Sequence, residues 1–423
     1  MARAVESSSA AARIRGGGGV AAAVLVFNGA TYGFTIASAH ILGPTGYGAL
    51  AAWMNLLMVV NVGSLGLQAT AARRLSSGEH ELDDVEPHLV RLTLVSSLGL
   101  GLVLLVLTPL INVTLQLDDL LMAALLGVSA VPLTLVGGLS GILQGERRWG
   151  AFSAVQVCLG APRLVLGIAL MLWRPEPRWG AIAVTVTMVV PVWVGLRALR
   201  HRRAPGRRRT LPVPGGEDLR SLVVEMVHNS QALLALFAVS NVDLIVARHV
   251  LDSHEAGLYA SGLILAKAVL FLPQFVSIVA FPSMASGESP RTFILAVGSV
   301  IGLGCLATLA TAVLPGLALI FVGGSEYGDV RSRLWVFAVL GTLLAVMMMV
   351  VYALIARGGQ RSVYLTWLAL AAIVALGLTV HTVTAMLTIV IAVDAVLVLI
   401  LLVAHQRGRG LPVTGITEPF ASG

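Results

Sequence analysis

Charge is scarce in this chain. Only 12% of its 423 residues are Asp, Glu, Lys or Arg, about half the share usual in a soluble domain. Hydrophobic residues make up 57%, and the mean hydropathy is +0.90. A water-soluble fold of this length has too little interior to hide so much apolar surface, so the bilayer is the expected solvent for most of it. Cysteine is nearly absent: Cys158 and Cys305 both sit in apolar segments. That excludes a disulfide framework and any Cys/His metal-ligand spacing, and no cofactor or metal is expected. Aromatics, at 6%, are too few to favour an aromatic-lined drug pocket. The expected outer loops are a few residues long, and paired carboxylates are missing from them apart from Asp118-Asp119. Both absences argue against a membrane-bound polymerase, ligase or glycosyltransferase, and the chain is not expected to be an enzyme. The run Gly16–Gly19 follows no strand and lacks a Gly-Lys-Ser/Thr ending, so it is no phosphate loop.

What is present is a repeat. Residues 40–52 begin His-Ile-Leu-Gly, residues 249–261 begin His-Val-Leu-Asp, and in this register His40 meets His249, Leu42 meets Leu251 and Gly48 meets Gly257. Each copy lies between long apolar segments. Twelve spans are expected, near 18–41, 48–70, 90–113, 119–143, 151–173, 179–198, 222–248, 256–281, 292–322, 333–356, 362–381 and 384–404. The first is longer than a signal-peptide core and reads as a retained span. With both termini inside, 21 arginines fall on inner segments and 5 on outer ones, leaving Arg163 and Lys267 within spans. This asymmetry follows the positive-inside rule and argues against nucleic acid as the reason for a pI near 10.1. The expected organisation is an N-terminal cytoplasmic tail (1–17), a first six-span lobe (18–198), a basic cytoplasmic linker (199–219), a second six-span lobe (220–404) and a C-terminal cytoplasmic tail (405–423). Six spans per half start both halves on the same side, so a pseudo-two-fold axis should run along the membrane normal.

Leu42-Gly43-Pro44-Thr45-Gly46-Tyr47-Gly48, the span ending Gly63-Ser64-Leu65-Gly66-Leu67 and the following Arg73-Arg74 resemble the first two spans of bacterial polysaccharide-biosynthesis (O-antigen-type) flippases. Asn241-Val242-Asp243, Glu255-Ala256-Gly257-Leu258-Tyr259 and Phe281-Pro282 resemble the same family in the second half. These flippases belong to the multidrug/oligosaccharidyl-lipid/polysaccharide exporter superfamily. The resemblance implies a V-shaped pair of six-helix lobes around a central cavity lined by spans 1, 2, 7 and 8. It further implies transfer of a lipid-linked, polyprenyl-diphosphate oligosaccharide from the inner to the outer leaflet of the bacterial cytoplasmic membrane by alternating access. A monomer is the expected working unit, with a polysaccharide polymerase or glycosyltransferases as the expected associates. A drug exporter of the same superfamily, driven by sodium or protons, is the alternative.

Polar groups inside spans should face protein or a wet cavity, and residues 3, 4 or 7 apart share a helical face. On that basis Asn28 and Tyr32 of span 1, Asn61 and Gln68 of span 2, Arg163 of span 5, Asn229 and Asp243 of span 7, and Lys267 and Gln274 of span 8 are the candidate cavity residues. Asn55 falls off the Asn61–Gln68 face. Arg163 reads as a docking charge for a phosphate or as a structural pair, and Lys267 with Asp243 as a salt bridge or as a substrate contact. Asp243 and Asp394 are the candidates for coupling to a proton or sodium gradient. Pro109, Pro132, Pro162, Pro191, Pro273 and Pro315 are expected to kink their helices.

Overall fold

The computed structural model describes the backbone of residues 2–76, 82–200, 219–284, 290–355 and 360–407, with side chains over most of it. The centre of the basic linker (201–218) and most of the C-terminal tail (408–423) lie outside the described residues, as do the side chains of Asn229 and Gln274. Among the described residues every regular element is helical. The first bundle comprises α1 (Ala2–Ser76), α2 (Leu82–Val106), α3 (Thr108–Leu115), α4 (Leu120–Gly145), α5 (Trp149–Trp173), α6 (Pro177–Thr187) and α7 (Val189–Arg200). The second comprises α8 (Leu219–Val250), α9 (Ser253–Met284), α10 (Pro290–Val313), α11 (Pro315–Val322), a 3₁₀ segment (Ser325–Arg333), α12 (Leu334–Ile355), α13 (Gln360–Gly377) and α14 (Val383–Arg407). Nine helical stretches among the described residues are long and apolar enough to cross a membrane. The protein is a multi-pass, all-α membrane protein.

The first stretch, Gly18–Leu75, runs 58 residues, about twice what one crossing needs at ~1.5 Å per residue. It is two arms joined at a single residue. Gly43 has φ 62 and ψ −179, a left-handed conformation that costs a residue with a Cβ but not glycine. Pro44 then opens the second arm, where its missing N–H is no loss. The expected loop at 42–47 is therefore a one-residue kink. Residues 2–17, expected as a tail, continue the first arm as helix.

Proline breaks three helices. α2 gives way to α3 just before Pro109, α6 to α7 just before Pro191, and α10 to α11 just before Pro315. At each, the ring removes an N–H and clashes with the carbonyl four residues back. Pro109 and Pro315 occupy equivalent places in the two halves. Pro132 and Pro162 lie inside helices that continue through them.

Small residues let the first bundle close. On α4, Gly137, Gly141 and Gly145 recur every fourth residue and face Ser64, Gln68 and Leu75 of α1's second arm. This is the small-residue spacing by which membrane helices approach closely. Ser64 Oγ donates to Leu133 O across that seam at 2.9 Å. A Cβ on residue 141 would lie 2.8 Å from Gln68 Cα and 2.9 Å from Ala71 Cβ. Gly141→Leu should therefore destabilise the N-terminal bundle by at least ~1–3 kcal/mol, the usual cost of overpacking. A thermal melt in detergent checks this, and an unchanged midpoint would contradict it.

The two bundles meet where α1 packs against α8 and α9. At the centre of that seam a Cβ on Gly48 would sit 2.9 Å from Gly257 Cα. These two glycines are mates in the sequence repeat. A residue meets its own mate only where a two-fold axis passes between the copies, so the Gly48–Gly257 contact marks the pseudo-two-fold axis.

Candidate functional site

Below that contact a cavity lies between the bundles. Four helical segments line it, and on three of them the lining residues fall at the spacing of a single stripe. The first arm of α1 supplies Asn28, Thr31, Tyr32 and Thr35. The second supplies Tyr47, Ala51, Met54, Asn55 and Met58. α8 supplies Leu244, and α9 supplies Ala260, Leu263, Ile264, Lys267 and Phe271. The offset that carries His40 onto His249 also carries Ala51, Met54, Asn55 and Met58 onto Ala260, Leu263, Ile264 and Lys267. The same wall is thus built twice, and its charge appears once: Lys267 stands where the first copy has Met58. It is the only lysine in the chain.

Lys267 ties the bundles together. Its ammonium donates to Asn55 Oδ1 of α1 and, at 2.9 Å, to Asn241 Oδ1 of α8. An ammonium has three donors, which leaves one for the cavity. The lysine bond fixes both amides. Asn241 turns its Nδ2 to Phe237 O at 2.7 Å and Ser240 Oγ at 3.2 Å. Asn55 Nδ2, in a residue only 4% exposed, has no partner. Tyr32 Oη is also buried without a partner, and its ring meets Phe271 edge-on at 5.9 Å across the bundle boundary. Among the described lining residues the buried polar atoms without a partner are thus Asn55 Nδ2 and Tyr32 Oη, and no carboxylate is present.

The expected Lys267–Asp243 salt bridge does not form. Asp243 turns away from the cavity, accepting from Tyr259 Oη at 3.0 Å and Leu244 N at 2.8 Å. Asp394 on α14 is fully buried, and neither carboxylate oxygen has a hydrogen-bond partner. Removing the phenol would leave an Asp243 oxygen unsatisfied, which costs ~1–3 kcal/mol. Tyr259→Phe should lower the thermal midpoint accordingly while leaving the cavity wall intact; equal midpoints would refute the bond's role.

Arg163 also sits behind the wall. Its Nη2 donates to Thr31 Oγ1 at 2.5 Å and its guanidinium lies 5.4 Å from the Phe34 ring centroid. It braces the first arm of α1 from α5 and is not among the lining residues. Gln68 pairs with Gln144 Oε1 at 3.2 Å on the α1–α4 seam, and Asn61 lies outside the lining. The structure therefore brings Asn28, Tyr32 and Lys267 to one cavity. Asn55, Thr31 and Tyr47 join them without having been selected as cavity residues.

A family model described as "Polysaccharide biosynthesis protein" matches residues 14–288. No curated protein sequence matches the chain. Among solved structures, the inward-facing conformation of a multidrug resistance MATE family transporter of the MOP superfamily is similar at 14% identity and TM-score 0.71, covering 91% of this chain and 94% of that one. An outward-facing conformation of such a transporter is similar at 15% identity and TM-score 0.64, covering 93% and 95%. A MOP superfamily transporter from Pyrococcus furiosus, for which a binding pocket of reverse polarity suggests a different function, is similar at 13% identity and TM-score 0.58, covering 93% and 95%. At these identities the likeness is one of fold.

Proposed function

The chain belongs to the polysaccharide biosynthesis protein family, and on that premise we propose that it carries a lipid-linked oligosaccharide from the inner to the outer leaflet of a bacterial cytoplasmic membrane. The cargo in this reading is a glycan on a polyprenyl diphosphate, destined for the cell surface. The protein acts as a transporter by alternating access and performs no chemistry on its cargo.

The observation that supports this most directly is the sign of the cavity. Its two buried unpaired atoms, Asn55 Nδ2 and Tyr32 Oη, can donate hydrogen bonds, and its one charge among the described residues is positive. A ligand that satisfies them must be rich in acceptors and anionic, as phosphates and sugar oxygens are. Cationic drugs would call for carboxylates at the same wall. The arginine asymmetry supports cytoplasmic termini, which puts the Gly48–Gly257 contact at the outer end. Asp243 and Asp394 are carboxylates held in hydrocarbon, and intramembrane carboxylates commonly serve ion pathways. We assign them to proton or sodium coupling.

Binding separates the two readings. Titrated into detergent-solubilised protein, a polyprenyl-diphosphate oligosaccharide should raise the melting temperature, as any ligand selective for the native state does. Ethidium should raise it far less. Stabilisation by ethidium alone would overturn the reading.

A further inference from the structure

The outer end of the seam is fastened by side chains that reach across it to helix ends. Arg248, in the last turn of α8, is only 3% exposed. Its Nε donates to Leu115 O at 3.0 Å and its Nη2 to Gln116 O at 2.8 Å. Those carbonyls end α3, where Gln116 takes a left-handed conformation with φ 45. Helix-end carbonyls lack partners within their own helix and carry partial negative charge, so a guanidinium fork suits them. Gln116 Nε2 returns a bond to His249 O at 3.2 Å. On the other flank Tyr327, fully buried in the 3₁₀ segment, donates from Oη to Ala39 O at 2.9 Å. Ala39 lies near the end of α1's first arm, just before the kink.

The two fastenings are topological mates. The end of span 7 grips the loop after span 3, and the loop after span 9 grips the end of span 1. The axis through Gly48 and Gly257 relates one to the other. Their chemistry is unequal. One is a charged fork on two carbonyls; the other is a neutral phenol on one. Opening this end strips Arg248 of both acceptors, and its Nη1 already has none.

We propose that these contacts are the latches of an outer gate, and that Arg248 is the principal one, setting the balance between the outward-closed and outward-open states from outside the cavity. Charge-assisted hydrogen bonds are roughly twice as strong as neutral ones, so the arginine latch dominates the tyrosine latch. Separation of the bundles at this end requires Arg248 to move from the α3 carbonyls into water, and a residue that cannot make the fork leaves the gate ajar.

The test measures the gate itself. Spin labels at Thr45→Cys and Ser332→Cys, with Cys158→Ser and Cys305→Ser, report the distance across the outer end by pulsed electron resonance in lipid nanodiscs. Arg248→Met, which keeps the stem, should raise the ratio of long to short distances by about tenfold or more, as expected for two lost charge-assisted bonds. Tyr327→Phe should shift it the same way but less, and Arg174→Met, an exposed arginine at the same end, should not shift it. If the methionine variant fails to fold, Arg248→Lys and Gln116→Ala carry the test, each with an intermediate shift expected. Unchanged distances in the folded Arg248→Met protein, or in both substitutes, would overturn the proposal.

Discussion

Lys267→Gln abolishes translocation of a polyprenyl-diphosphate oligosaccharide, with an expected loss of about 100-fold or more. Glutamine keeps a donor and most of the stem, so the loss reads the charge. A charge-assisted bond contributes up to ~3 kcal/mol, and each ~1.4 kcal/mol is tenfold. Lys267 is the only cation among the described lining residues, so no neighbour replaces it. Lys267→Arg should retain part of the activity, since charge survives while the ammonium's fit between Asn55 and Asn241 does not. Arg163→Gln is the contrast. That guanidinium lies behind Thr31, so its removal should lower stability more than it lowers the transport of folded protein. Equal, severe transport losses in both variants would place the phosphate contact elsewhere.

Gly257→Val is expected to stop transport by a different route. A Cβ there would overlap the Pro44 carbonyl and lie 2.9 Å from Pro44 Cα. Both are backbone atoms, which cannot rotate aside. The valine methyl groups enlarge the clash. The contact exists only when the outer end is closed, so the substitution penalises that state more than the fold of either bundle. The expected result is near-complete loss of transport with a melting temperature within a few degrees of the parent, and with Ala51→Cys, buried in the cavity lining, newly accessible to a membrane-impermeant maleimide from outside. Normal transport would show that the Gly48–Gly257 seam does not have to close.

Much of this was legible in the sequence because membranes impose strict rules. Scarce charge and long apolar runs specified helices in lipid, and the repeat called for an axis along the membrane normal, which the structure places at the Gly48–Gly257 contact. Pro109 and Pro315 marked matching breaks. What the sequence concealed depends on inter-helix contacts that periodicity does not encode. Asn55 fell off the Asn61–Gln68 stripe, yet its own stripe of Tyr47, Ala51 and Met58 is the one facing the cavity. Polarity alone misidentified the face, since Ser64 and Gln68 serve the seam with α4. Lys267 and Asp243 read as a salt bridge from the sequence, but their side chains take other partners, one Asn55 and Asn241 and the other Tyr259. Arg248 counted only as an outer-loop charge, although its burial against Leu115 and Gln116 is a long-range contact. The offset between the two halves held a further signal: substituting it into the cavity stripe pairs Met58 with Lys267 and shows where the symmetry of charge is broken.

The central claim is that the cavity moves an anionic glycolipid. A fluorescent polyprenyl-diphosphate oligosaccharide in proteoliposomes, bleached by an impermeant reductant added outside, tests it most directly. The prediction is that the wild-type protein exposes the inner-leaflet label well above the rate of protein-free vesicles, and that Lys267→Gln returns it to that baseline. Folded wild-type protein that leaves the label inside while exporting a cationic dye would contradict it.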